Sequence, residues 1–192
     1  MTPAAVKTAS RYTFVPLREA DIPLTRRWLL EPHVRRWWND DPDEHDYPEG
    51  TIAEWMKALR GEDRTDMFLV RLDGRPIGVV QSYRVQDYPD YVAELGTLPA
   101  PAVSVDVFIG EADLIGKGHG AALMRAFLPL AFDRYKLDYC VIGPSMSNVA
   151  AIRSYEKAGF RYLKEYREEH TIDPPHMLLD IRRADVTDQP RG

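Results

Sequence analysis

The sequence predicts a mixed α/β domain of the α+β class, in which helices cover a single sheet. Apolar segments with the two-residue period of strands are interspersed with helical segments, and most links between successive strands are short. A chain of 192 residues is long enough for one domain, and its 44% hydrophobic and 29% charged residues are ordinary globular values. We expect one folded domain over residues 12–184, with flexible ends at 1–11 and 185–192.

Seven segments have the apolar, β-branched and aromatic character of strands, and five have helical character. The Asp73-Gly74 pair is a strong turn signal that joins the second and third strands as a hairpin. The expected strands cover residues 12–16, 67–72, 76–83, 102–109, 139–142, 160–166 and 177–181. Three of the expected helices cover 21–28, 52–59 and 148–157, and the other two begin at 32 and after 120.

Local signals add detail to these elements. Thr51 is expected to cap the third helix, with Glu54 completing a capping box. Pro129 is expected to kink or shorten the helix that contains it, because proline cannot donate a helical hydrogen bond. Residues 40–49 and 87–94 are expected to be acidic loops that also carry aromatic residues or proline.

Composition excludes several classes of partner. The formal net charge of −5 argues against nucleic acid, because duplex binding usually requires a basic face. No apolar run approaches the roughly 20 residues that span a bilayer.

The first residues lack the apolar core of a secretory signal, so we expect a cytoplasmic protein. A single cysteine, Cys140, excludes an internal disulfide, and the histidines lack metal-ligand spacing, so no metal is expected.

A glycine-rich turn, Gly116-Lys-Gly-His-Gly120, follows a strand and precedes a helix, an arrangement that presents backbone N–H groups to phosphate. A Walker-type loop requires four residues before its Gly-Lys pair, whereas five separate Gly110 from Gly116. A dinucleotide fingerprint is nominally met by Gly116, Gly118 and Ala121, but it lies too far behind its strand. The remaining alternatives are a turn without a ligand and the pyrophosphate site of an acyl-CoA binder.

The same turn is one of several motifs that resemble a known family. The chain is similar to the GNAT superfamily of acetyl-CoA-dependent N-acetyltransferases, and most of all to aminoglycoside 6′-N-acetyltransferases. This resemblance implies the GNAT fold, a splayed and mostly antiparallel central sheet with helices on both faces. One departure is Ile115, where the family usually has Gln or Arg. The matching motifs lie at 105–109, 116–121 and 148–160, with support from 28–38 and 74–83, and the likeness spans about 12–182.

The resemblance implies that acetyl-CoA is the co-substrate. Amides of the glycine turn, helped by the dipole of the following helix, would hold its pyrophosphate. Main-chain groups of the preceding strand would pair with the pantetheine arm, which Asn148 would also contact while capping its own helix. The implied cofactor-binding residues are Val107, Phe108, Ile109, Gly116, Lys117, Gly118, His119, Gly120, Ala121 and Asn148.

Two residues are the expected catalytic groups. Asp106 interrupts an apolar strand, where an uncompensated carboxylate is costly, and the alternation places it opposite the valines. The resemblance implies that Asp106 holds or deprotonates the acceptor amine and that Tyr155 protonates the departing thiolate. Asp87, Asp90 and Glu94 remain alternative bases, and Tyr155 is otherwise a packing tyrosine.

The acidic loops are typical of a surface that attracts a cation, and paired indoles would supply a flat wall for it. A polyaminated sugar suits such a surface, so an aminoglycoside is the expected acceptor. Polyamines, siderophore precursors, protein N-termini, longer acyl groups and a non-catalytic acyl-CoA-binding module remain alternatives, and the chain is expected to be a monomer or a homodimer. The expected substrate-binding residues are Trp37, Trp38, Asp40, Asp41, Asp90 and Glu94.

Overall fold

A computed structural model describes residues 10–38, 46–167 and 175–186. Within these ranges seven strands form one sheet accompanied by six α-helices, none of them long and apolar enough to cross a membrane. The strands are β1 (Tyr12–Pro16), β2 (Asp66–Leu72), β3 (Arg75–Arg84), β4 (Val103–Ile109), β5 (Tyr139–Ile142), β6 (Arg161–Tyr166) and β7 (His176–Arg182). The helices are α1 (Ile22–Leu29), α2 (Pro32–Trp38), α3 (Glu49–Leu59), α4 (Pro89–Leu95), α5 (His119–Tyr135) and α6 (Val149–Ala158).

The strands lie in the order β1-β2-β3-β4-β5-β7-β6, and each expected strand agrees with an observed one to within one residue at either end. All neighbouring pairs are antiparallel except β4 and β5, which are parallel. The predicted hairpin turn is confirmed, because Asp73 (φ 50°) and Gly74 (φ 84°) both have the left-handed conformation that a two-residue hairpin turn favours. The predicted α+β class, with a mostly antiparallel sheet, is therefore confirmed.

Apolar side chains cover both faces of the sheet. On one face, α5 and α6 pack on a core cluster that includes Val103 and Val105 of β4. On the other face, α1, α2 and α3 pack on a second cluster that includes Phe108 and the buried Trp28. Because successive side chains of a strand point to opposite faces, this separation follows from the alternation along β4. It places Asp106 on the face opposite the valines, as the sequence predicts.

The parallel pair at the centre of the sheet is short. Val103 pairs with Cys140 and Ser104 pairs with Val141. Beyond Ser104, no described strand pairs with this edge of β4. On its other edge β4 stays paired with β3 as far as Ile109. The central sheet is therefore splayed between β4 and β5, as the family resemblance implies.

Two sequence expectations about helices are wrong. The segment 87–94 is not a loop, because α4 occupies most of it and Leu95 at its end is 2% exposed in a core cluster. Burial of Leu95 and the proline in the first turn of α4 outweigh the polar composition on which the loop was predicted. Thr51 does not cap α3, because the helix begins at Glu49, whose N–H bonds the carbonyl of Asp46 at 2.6 Å.

Of the two effects expected of Pro129, a kink or a shorter helix, the shortening does not occur, because α5 continues to Tyr135. An interior proline costs about 3 kcal/mol, whereas burying one large apolar side chain contributes about 1.5–3 kcal/mol. Phe127, Leu128 and Phe132 are all fully buried around it. Packing therefore holds the helix together across the proline.

A carboxylate next to the end of β4 joins three parts of the fold. Glu111 accepts hydrogen bonds from the indole Nε1 of Trp28 at 2.8 Å and from the guanidinium of Arg27 at 2.6 Å. The guanidinium of Arg75, at the start of β3, also bonds Glu111. Burial by itself would raise the pKa of Glu111, but the hydrogen bonds from these three partners outweigh it and lower the pKa. The ionised carboxylate thus links α1, the β2–β3 hairpin and the end of β4.

We predict that Glu111→Gln lowers the free energy of unfolding by about 1–3 kcal/mol at pH 7, because it weakens hydrogen bonds to a largely buried charged group. A lowered pKa in the folded state means that this contribution is present above the unfolded pKa and is lost as the pH falls through the folded pKa. Denaturant unfolding at several pH values should therefore show the difference from wild type closing below about pH 4.

Asp113→Asn is the matched control, because this carboxylate pairs with the same Arg75 but its side chain is 56% exposed. It should leave the unfolding midpoint almost unchanged, since solvent screens an exposed pair. An equal loss in the two variants would contradict the assigned role of Glu111.

Candidate active site

A cleft of about 970 Å³ opens where β4 and β5 diverge. Residues 106–109 of β4 form one wall, and residues 142–145, at the end of β5 and beyond, form the other. The glycine turn and the start of α6 border one part of the cleft, and residues from β3 and α4 border another. The splayed sheet therefore brings together most of the residues that the sequence predicts as a site.

The glycine turn faces this cleft. Gly116 (φ 75°) and Gly118 (φ 81°) both have left-handed backbone, which other residues rarely adopt. The helix α5 begins at the next residue, His119, so the N-terminus of this helix lies at the cleft. Every member of the predicted turn from Gly116 to Ala121 lines the cleft except Lys117, which is exposed. Backbone N–H groups and a helix N-terminus together form the arrangement that binds phosphate groups.

The predicted strand segment lies in the opposite wall, where Val107, Phe108 and Ile109 line the cleft. One edge of this segment pairs with β3, and no described strand occupies the other. The carbonyl of Ile109 is already bonded by Nε2 of His33 at 3.0 Å. The open edge therefore offers its remaining main-chain groups to an extended ligand.

Asn148 and Tyr155 lie two turns apart and both line the cleft. The Asn148 side chain accepts a hydrogen bond from the N–H of Ala151 at 3.1 Å, so its predicted capping role is confirmed. Tyr155 is 8% exposed, and its hydroxyl makes no hydrogen bond to any residue in the described ranges. Burial, followed by the negative charge of Asp106, raises the pKa of Tyr155 above its ordinary value. This phenol is therefore protonated at neutral pH.

Asp106 lies in the middle of β4 and also lines the cleft. Gln81, its partner in the β3 register, donates from Nε2 to Oδ2 of Asp106 at 2.9 Å. This hydrogen bond orients the carboxylate and offsets part of the cost of its partial burial. The sequence prediction missed Gln81, although its place opposite Asp106 follows once the two strands are paired in register.

Some of the predicted substrate-binding residues line the cleft and others do not. Trp37, Trp38 and Glu94 line the cleft, whereas Asp90, on the same helix as Glu94, does not. Asp40 and Asp41 lie outside the described residues. The guanidinium of Arg36 lies 4.6 Å from the centre of the Trp37 ring, so this indole already has a cation from its own chain beside it.

A group of tyrosines supplies an aromatic wall that the sequence prediction missed. The ring of Tyr83 contacts Tyr88 and Tyr91 edge-on, with centroid distances of 4.9 and 5.9 Å, and all three line the cleft. Tyr166 extends this wall at 6.4 Å from Tyr91. Burial, then the charge of Asp106, raises the pKa of Tyr83 well above its ordinary value. The density of tyrosine between 83 and 91 was the available signal, but the rings meet only because α4, which carries Tyr91, folds back beside Tyr83 of β3.

Other candidate chemistry is not supported by the described residues. Cys140 is fully buried, and burial, together with the charge of Asp106, raises the pKa of its thiol, so it is a core residue as the sequence predicts. Across residues 10–38, 46–167 and 175–186, no three His, Cys, Asp or Glu side chains are grouped so that they could hold a metal ion.

Comparison with known proteins agrees with this geometry. Residues 18–167 match the model of the acetyltransferase (GNAT) domain family. An aminoglycoside N(6′)-acetyltransferase type 1 of Klebsiella pneumoniae is 31% identical over 147 residues, which are 75% of this chain and 71% of that protein. An N-hydroxyputrescine acetyltransferase of Acinetobacter baumannii is 24% identical over 127 residues, which are 66% of this chain and 57% of that protein.

Among solved structures, AAC(6′)-Ib in complex with ribostamycin and coenzyme A has a TM-score of 0.72 at 25% identity. The match covers 93% of this chain and 99% of that one. The family model, the relatives and the fold therefore agree with the motifs in residues 105–160, and this chain belongs to the GNAT family of acetyltransferases.

Proposed function

We propose that this protein transfers the acetyl group of acetyl-CoA to a primary amine of a cationic small molecule, and that an aminoglycoside is the acceptor. The observation that carries this proposal is that a single cleft holds both the glycine turn at the start of α5 and Asp106 beside a tyrosine wall. The 31% identity to an aminoglycoside N(6′)-acetyltransferase favours the same acceptor class.

Acetyl-CoA binds with its pyrophosphate at the amides of the glycine turn, where the α5 dipole also attracts it. Its pantetheine arm extends along the open edge of β4, pairing with main-chain groups near Val107 and Phe108. Arg153 and Lys157, both on α6, line the cleft and add positive charge to it. The thioester is thereby carried to the part of the cleft that holds Asp106 and Tyr155.

The acceptor enters as an ammonium ion and must lose a proton before it can attack. Asp106 accepts that proton, directly or through water, and the amine nitrogen forms a bond to the thioester carbonyl carbon. The tetrahedral intermediate then collapses, the C–S bond breaks, and Tyr155 gives its proton to the thiolate. The acetylated nitrogen still carries one proton more than a neutral amide, and this proton passes to the phenolate of Tyr155, directly or through water. The proton held by Asp106 is released to solvent. The products are the acetylated amine and coenzyme A with a free thiol.

The acceptor part of the cleft suits a cation. Glu94 and Asp106 supply negative charge, and the rings of Tyr83, Tyr88 and Tyr91 present aromatic surface on which a cation is attracted. Similarity to an N-hydroxyputrescine acetyltransferase makes an amine derived from a polyamine the second candidate acceptor. Both kinds of acceptor are positively charged at neutral pH because they carry protonated amines, so the same surface serves either.

The first test measures coenzyme A release from acetyl-CoA with a panel of aminoglycosides, polyamines and a peptide with a free N-terminus. We expect kcat/KM for the best aminoglycoside to exceed that for the other amines by at least about tenfold, the scale of one well-placed charged contact. A preference for polyamines would replace the proposed acceptor. Binding of coenzyme A without turnover of any amine would instead support a non-catalytic binding module.

Tyr155→Phe should lower kcat by about 10²-fold, because it removes the group proposed to protonate the thiolate. The melting temperature should not change, since the hydroxyl makes no hydrogen bond to the described residues. With its raised pKa the wild-type phenol stays protonated in alkali, so kcat should not fall before about pH 10. Tyr162→Phe, which removes the hydroxyl of a side chain on β6 that is 57% exposed, is the control. Equal rates for both variants would remove Tyr155 from the mechanism.

Asp106→Asn and Glu94→Gln test separately the proposed general base and the proposed contact to the acceptor. Asp106→Asn should lower kcat by about 10²-fold or more, because a carboxamide cannot accept the amine proton. Glu94→Gln should leave kcat unchanged and raise KM for a polycation, by a larger factor at low salt than at high salt. A loss of kcat confined to Glu94→Gln would transfer the role of base to Glu94.

Asp90→Asn is the matched control for Glu94→Gln, because both carboxylates belong to α4 and only Glu94 lines the cleft. The geometry favours a small effect on KM in this variant. The comparison also tests the predicted role of Asp90 in substrate binding, which a rise in KM equal to that of Glu94→Gln would support.

A further inference from the structure

A hydrogen bond joins the edge of the sheet to the glycine turn. The hydroxyl of Tyr12 lies 2.7 Å from Nδ1 of His119, which is 107 positions away in the chain. Their rings meet edge-on, with centroids 6.2 Å apart and planes at 70°. His119 is the first residue of α5 and lines the cleft, whereas Tyr12 does not. Tyr12 therefore contacts the ring of His119 from outside the cleft.

The position of the Tyr12 hydroxyl is set by packing. Tyr12 pairs with Leu72 in the register of β1 and β2, and its ring packs against the core cluster beneath α5. Two residues later Phe14 contacts Phe127 of α5 edge-on at 5.0 Å. The strand is thus fastened to the helix that carries His119, so the hydroxyl and the imidazole keep a fixed relation.

We propose that Tyr12 is a positioning residue that makes His119 a hydrogen-bond donor to the pyrophosphate of the cofactor, an inference that rests on the proposed function. When the phenol donates to Nδ1 of the neutral ring, the ring proton lies on Nε2. When the ring is an imidazolium, Nδ1–H donates to the phenol oxygen and Nε2–H is still a donor. In both forms Nε2 presents a proton to the cleft.

The proton on Nε2 matters because the proposed ligand at the glycine turn is an anion. A phosphate oxygen only accepts hydrogen bonds, so a ring with a lone pair on Nε2 would repel it. His119 lies at the positive end of α5, and the amides of the turn face the same region. A histidine whose orientation is held by a tyrosine therefore adds a side-chain donor to the backbone donors of the turn.

The alternative is that the Tyr12–His119 contact serves only to tie β1 to α5. The experiment that distinguishes the two is calorimetric titration with coenzyme A, without any amine, combined with thermal unfolding. We expect Tyr12→Phe to raise Kd for coenzyme A by about three- to tenfold, the usual net contribution of one hydrogen bond, while the melting temperature stays near that of wild type. A lower melting temperature with unchanged Kd would overturn the proposal. Tyr162→Phe should leave both unchanged.

His119→Gln provides the conservative variant, because its carboxamide nitrogen reaches the place of Nε2 and needs no partner to carry protons. In this background Tyr12→Phe should have no further effect on Kd. An undiminished effect would show that Tyr12 acts through something other than His119. Histidine ring ¹⁵N spectra of wild type should show the Nε2-protonated or doubly protonated ring, and a neutral ring protonated at Nδ1 would contradict the proposal.

Two further titrations distinguish a failure of the proposed role of Tyr12 from a failure of the proposed function. The effect of Tyr12→Phe should persist with dephospho-coenzyme A, which keeps the pyrophosphate and lacks the 3′-phosphate, and loss of the effect would overturn the assignment to pyrophosphate. If wild-type protein binds neither coenzyme A nor acetyl-CoA, the proposed function itself fails. If wild type binds them and Tyr12→Phe binds equally well, only the role of Tyr12 is overturned.

Discussion

Beyond Ser104, one edge of β4 has no described strand beside it, because β5 pairs with only two of its residues before the strands diverge. Backbone N–H and C=O groups require partners when they are removed from water, so an open edge in the middle of a sheet is a place for another extended chain. The pantetheine arm of the proposed cofactor is such a chain. The cleft, the exposure of Asp106 to it and the access of the glycine turn all depend on this divergence.

The cleft is divided by charge, and the net charge of −5 does not describe either part. Around the start of α5, backbone amides and the helix dipole suit an anion, and Arg153 and Lys157 of α6 add positive charge to the cleft. Around β3 and α4, Asp106, Glu94 and a tyrosine wall suit a cation. The proposed reaction needs both environments, because a negatively charged cofactor and a positively charged acceptor must meet in one cavity.

Local signals account for most of what could be predicted. The Asp73-Gly74 turn, the Asn148 cap and the glycines of the glycine turn each encode a conformation in a few adjacent residues, and the structure has these conformations. Thr51 was wrongly predicted as a cap because α3 begins two residues earlier, at Glu49. The segment 87–94 was wrongly predicted because the formation of α4 depends on burial of Leu95 against distant parts of the chain. The partnership of Gln81 with Asp106 was missed for the same reason, since it exists only when β3 and β4 pair in register.

The sequence by itself determined the fold class and the family, and it indicated the conformations of the glycine turn and of the Asn148 cap, because strand and helix periods, left-handed glycines and a capping asparagine act over short distances. Only the tertiary structure decided which side chains share the cleft. It brought Glu94 to the cleft and left Asp90 out, assembled the tyrosines into a wall, and placed Tyr12 against His119. Such contacts arise from the register of strands and the packing of helices across the whole chain, and no short segment contains that information.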